Sequence, residues 1–76
     1  MNNQKRKELS KASALLEEAK GIIESVRDEE QEGFDNMSEG LQLTERGQMM
    51  EEAIGNMDSA IDSIDEAMSY IEEASM

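Results

Sequence analysis

The sequence predicts an all-α protein: an antiparallel two-helix hairpin of the coiled-coil kind, dimerising into a four-helix bundle. Three observations predict it. Apolar residues recur every 3.5 positions along two long segments. No Pro interrupts either segment. Opposite charges flank the two stripes when the segments run in opposite directions. Seventy-six residues make one domain, 1–76.

Helix 1 is placed at about 3–32. Its stripe is Leu9, Ala12, Leu16, Ala19, Ile23 and Val26, and Asn2 or Asn3 supplies the cap. Helix 2 is placed at about 45–75. Its stripe is Met50, Ile54, Met57, Ile61, Ile64, Met68 and Ile71, and Thr44 is the cap. The connection, 33–44, contains the turn formers Gly33, Asn36, Ser38 and Gly40. It also contains Phe34, Met37, Leu41 and Leu43, which are too apolar for a free linker. Either they fold back over the open end of the helix pair, with a short turn capped by Ser38, or they form a binding epitope at the tip.

The register follows from the heptads. Stacking the two stripes antiparallel pairs Leu9 with Ile71, Ala12 with Met68, Leu16 with Ile64, Ala19 with Ile61, Ile23 with Met57 and Val26 with Ile54. One flank then sets Arg6 beside Glu72, Lys20 beside Asp58 and Arg27 beside Glu51, with Ser13 beside Asp65. Beyond the core, Glu30 meets Met50 and Gly33 meets Gly47. The other flank holds Leu15 and Ile22 on helix 1 and Ala53, Ala60, Ala67 and Ala74 on helix 2. It is apolar and small, and a two-helix hairpin has little core of its own. Leu15, Ile22, Ala53, Ala60 and Ala67 are therefore the expected homodimer interface. A different protein seated on the same flank is the rival.

Composition excludes much chemistry. There is no Cys and no His, so disulfides, zinc fingers, thiol or imidazole catalysis and haem ligation are out. A net charge of -12 argues against direct binding to nucleic acid or to an anionic membrane. No apolar run is long enough for a membrane span, and no apolar stretch follows Lys5-Arg6-Lys7 as it would in a signal peptide. The expectation is a soluble, cytoplasmic, non-enzymatic protein without cofactor. No calcium-binding loop is present. Asp58, Asp62 and Asp65 read as a solvated acidic face rather than a metal site. Met50, Met57 and Met68 read as core fillers, and Met37 and Met49 as packing near the tip.

Charge is uneven. Residues 1–27 carry +2 and residues 28–76 carry -14. The tip, residues 28–52, sets nine acids against Arg46. Two acidic surfaces could receive a basic protein partner. One is the tip: Glu29, Glu30, Glu32, Phe34, Asp35, Met37, Glu39 and Leu41, where apolar groups can anchor what charge steers. The other is the side of helix 2: Asp62, Glu66 and Glu73. Helical carboxylates four apart stand about 6 Å apart along the axis, comparable with phosphates along a strand. An acidic helix can thus occupy a groove built for nucleic acid. The plain alternative is that acidity only keeps the chain in solution.

Asp28-Glu29-Glu30-Gln31-Glu32-Gly33-Phe34-Asp35-Asn36-Met37, Glu45-Arg46-Gly47-Gln48 and the Ala-Ile-x-x-Met-Asp-x-Ala-Ile-Asp run from Ala53 resemble short acidic helical proteins of Gram-positive phages, prophages and mobile elements. The resemblance covers roughly residues 15–75 and carries no functional residue with it. It implies a bacterial host cell and an anti-defence role, since small acidic phage proteins include anti-restriction and anti-CRISPR inhibitors that imitate DNA. The competing expectation is a self-associating accessory coiled coil with no inhibitory role.

Overall fold

The computed structural model describes all 76 residues and is all-α, with no strand. Three helices follow in order: α1 Asn3–Asp35, α2 Glu39–Gln42 and α3 Glu45–Ala74. The long helices α1 and α3 pack against each other as a hairpin, and α2 lies against α3 at the tip. The result is a rod of 58 × 15 × 12 Å. Its radius of gyration is 17.2 Å, against about 11 Å for a compact domain of this length.

The caps explain where the helices begin. The Asn2 side chain accepts from the Lys5 amide at 2.8 Å, and the Thr44 hydroxyl accepts from the Gly47 amide at 3.4 Å. Ser38 caps α2 by accepting from the Leu41 amide at 3.3 Å. Each satisfies an amide that the first helical turn leaves without a partner. At the C-terminal end of α3 the Arg6 guanidinium donates to the Ser75 carbonyl at 2.9 Å. A cation thus sits where the α3 dipole is negative.

Helix α1 runs three residues further than the expected end at 32, so Gly33, Phe34 and Asp35 are helical. The connection shrinks to 36–44 and contains α2.

The register also differs from the heptad arithmetic. Gly33 lies against Met50, not Gly47, and Arg6 reaches Ser75, not Glu72. Both contacts fall three residues further along α3, a slide of about half a heptad, or roughly 5 Å. The ion pairs move a full heptad. Lys20 bonds Asp65 at 2.7 Å rather than Asp58, and Arg27 bonds Asp58 at 2.8 Å rather than Glu51. Ser13 and Glu72 line one shallow cleft near the termini. The charges allow the move of the ion pairs because Glu51, Asp58, Asp65 and Glu72 repeat every seven residues on α3. Any heptad step offers each cation another acid.

The seam drifts as well. Leu9, Ala12, Leu16, Ala19 and Ile23 are half-buried as expected, but Val26 is exposed and Arg27, Glu30 and Phe34 take the next places. From Leu9 to Phe34 the seam makes seven steps in 25 residues, about 3.6 per step, the period of a straight helix. On α3 the half-buried set includes Ala53, Ala60 and Ala67, so the alanine row borders the seam rather than standing wholly in water. Only Gly47 and Ile54 are buried.

The acidic hairpin tip as candidate functional site

The tip is held by backbone-directed bonds. The Gln42 side chain donates to the Phe34 carbonyl at 2.9 Å, tying α2 to the end of α1. The Asn36 amide closes α1 on the Glu32 carbonyl at 3.0 Å. The Thr44 hydroxyl donates to the Leu41 carbonyl, tying α2 to the start of α3. Gly47 lies directly beneath Gln42. A Cβ there would stand 2.6 Å from the Gln42 carbonyl carbon and closer still to its oxygen. The requirement for Gly is one of space: its φ is not positive.

The connection therefore folds back over the hairpin in part: of the four apolar groups expected to cover its open end, two do so. Phe34 and Met37 are half-buried, while Leu41 and Leu43 remain exposed. The fold-back leaves a shallow cleft of about 480 Å³ lined by Glu30, Gly33, Met37, Leu41, Thr44, Arg46 and Met50. A second, of about 520 Å³, lies beside it against Glu30, Glu45, Arg46, Met49, Met50 and Ala53. The two share Glu30, Arg46 and Met50. The clefts thus join apolar side chains to Glu30, Glu45 and Arg46, and the other tip acids line neither.

Of the tip acids, Glu29, Glu32, Asp35 and Glu39 are exposed and Glu30 is half-buried. None of the five makes an ion pair. Asp35 accepts from the Gln31 side chain at 2.9 Å. Arg27 also touches Asp28 at 3.5 Å, which lies at the edge of the tip. Asp62, Glu66 and Glu73 are exposed and unpaired on α3, apart from the tip. Glu51 and Glu72, expected to pair with Arg27 and Arg6, are free, whereas Asp65 is committed to Lys20.

Two cations feel this arrangement. Lys20 is raised above its ordinary value, first by its hydrogen bond to Asp65; desolvation opposes this, and the charges of Asp65, Glu24 and Glu17 each add a smaller upward push. Arg27 is raised likewise, first by its hydrogen bond to Asp58. Sequence reasoning missed Gly47 as a residue of the tip. The only signal was a glycine three positions after a helix cap, in a helix that otherwise has no need of one.

No helix is long and apolar enough to cross a membrane. No family model matches the chain. No curated protein and no solved structure matches it either.

Proposed function

We propose that this protein is a non-enzymatic, acidic protein-binding module whose tip engages a basic, nucleic-acid-binding protein of a bacterial host, such as a defence nuclease. Binding blocks the partner's basic surface, by charge mimicry or by steric cover. The carrying observation is the tip. Residues 28–52 hold nine acids against one Arg, and the five acids of the proposed contact surface have no cationic partner. Beside them lie the apolar groups Phe34, Met37 and Leu41. Charge steers the encounter and the apolar groups hold it. The host cytoplasm is the compartment that this reading requires.

The module acts as a homodimer in this reading. Exposed Leu15 and Ile22 and half-buried Ala53, Ala60 and Ala67 support that, as does a rod with only two buried residues. The same observation favours the second reading, a self-associating accessory coiled coil whose acidity is incidental.

The test is capture from a bacterial lysate at low and moderate salt, with wild type beside a Glu30→Gln, Asp35→Asn, Glu39→Gln variant. A nucleic-acid-binding protein that DNA displaces, and that the variant retains poorly, supports the inhibitory module. Recovery of the protein itself alone supports the accessory coiled coil. Loss of binding in an Asp62→Asn, Glu66→Gln, Glu73→Gln variant, with the tip variant unaffected, would move the contact to the side of α3.

A further inference from the structure

We infer that a second copy of this chain covers the outer stripe of α1, and that the two copies lie antiparallel, each tip against the other's termini. This rests on the self-association part of the reading above and adds the orientation and the residues that set it.

The stripe is Lys11, Leu15, Glu18, Ile22, Val26 and Glu29. Steps of four, three, four, four and three residues keep it on one side of the helix. All six are exposed, Leu15 by 57%, Ile22 by 61% and Val26 by 49%, and none of Lys11, Glu18 and Glu29 has an ion-pair partner in its own chain. The two ends of the stripe are complementary when reversed. Turned end for end about Lys20, it sets Lys11 over Glu29 of the second copy, Leu15 beside its Val26 and Glu18 beside its Ile22, each twice by symmetry. At the rim, Lys7 meets Glu32 in the same way, which leaves Glu30, Asp35 and Glu39 of the tip for a basic partner. A parallel pair would instead stack Lys11 on Lys11 and Glu29 on Glu29.

The whole rod favours the same choice. The terminal end, residues 1–11 with 66–76, holds four cations and four acids and is neutral, while the tip carries -8. Antiparallel packing sets each tip against a neutral end that holds four cations. Parallel packing sets -8 against -8. Lys20 is also near the middle of α1, which runs from Asn3 to Asp35, so this pairing overlaps the rods almost completely. The consequence is a four-helix bundle with its two tips at opposite ends.

The chain has no Cys, so cross-linking reads the orientation directly. Lys11→Cys and Glu29→Cys chains are made singly, checked for helicity by circular dichroism, and oxidised alone and as a mixture. Sedimentation of the wild type is measured beside them. The expected result is a dimer in which only the mixture cross-links. As a second readout, Lys11→Glu or Glu29→Lys alone should raise the dimer dissociation constant several-fold, and the two together in one chain should restore it. A monomer at 100 µM, on the order of a hundred times the concentration at which a micromolar dimer is half-formed, overturns the self-association reading itself. A dimer in which either single variant cross-links alone, or in which no combination does, leaves self-association standing and overturns this orientation.

Discussion

Gly47 shows how much one hydrogen in place of a methyl group can carry. Its backbone is ordinary helix, but Gln42 of the folded-back connection occupies the space of its missing side chain. Gly47→Ala should therefore cost about 1–3 kcal/mol, the usual price of overpacking, and should loosen α2 before the long helices. Thermal melts and amide exchange at Leu41–Leu43 would check it. Gly21 and Gly55 are the opposite case. Both are helical, and a Cβ at either meets nothing within 4 Å. Gly21→Ala and Gly55→Ala should each stabilise the protein by about 0.5–1 kcal/mol, because only the helix penalty of Gly is removed. A fall in melting temperature for either would mean that its face is covered by something. Lys20 adds a pH dependence. Its folded value lies above the ordinary 10.5, so the stabilisation from its Asp65 bond is complete below that value. It is lost as pH rises through the raised value. Urea melts between pH 9 and 12 should show a decline that Lys20→Met makes smaller.

At the level of elements, the heptads explain why α1 and α3 form and why they run antiparallel, and the connection decides how far they slide. α2, bonded to Phe34 through Gln42 and resting on Gly47, fixes the start of α3 relative to the end of α1. The acids that repeat every seven residues then accept whichever cation arrives. Double-mutant cycles test this directly. Coupling is expected for Lys20 with Asp65 and for Arg27 with Asp58, and none for Lys20 with Asp58 or Arg27 with Glu51. The reverse pattern would restore the heptad register. Thr44→Ala should cost about 1 kcal/mol, since it removes both the α3 cap and the tie to Leu41. Heat and denaturant melts would measure it.

At the scale of the whole molecule, the rod is long, charged and poor in core. Ile54 is its only buried apolar side chain. A hairpin of this kind gains stability from whatever covers Leu15, Ile22 and Val26, and mass action then links stability to concentration. The melting temperature should rise as the protein is taken from 5 to 500 µM, and Ile22→Glu should abolish that rise. A melting temperature independent of concentration over that range would describe a hairpin that stands alone.

The sequence by itself determined the helical class, both long helices to within a few residues, an Asn cap at position 2 or 3, the Ser38 and Thr44 caps, and the antiparallel sense. The helices and caps depend on periodicity and capping side chains that each segment carries alone, and the antiparallel sense on the charges that flank the two stripes. It also marked the tip acids as a group, since charge runs are visible without a fold. The tertiary structure decided the register, the exchange of Val26 for Arg27 at the seam, and the role of Gly47. A heptad repeat is degenerate under a step of seven residues, and a straight helix of 3.6 residues per turn does not hold a 3.5-residue stripe on its partner. Those choices were settled by the packing of α2 on the first turn of α3, a contact between distant surfaces that no single segment encodes.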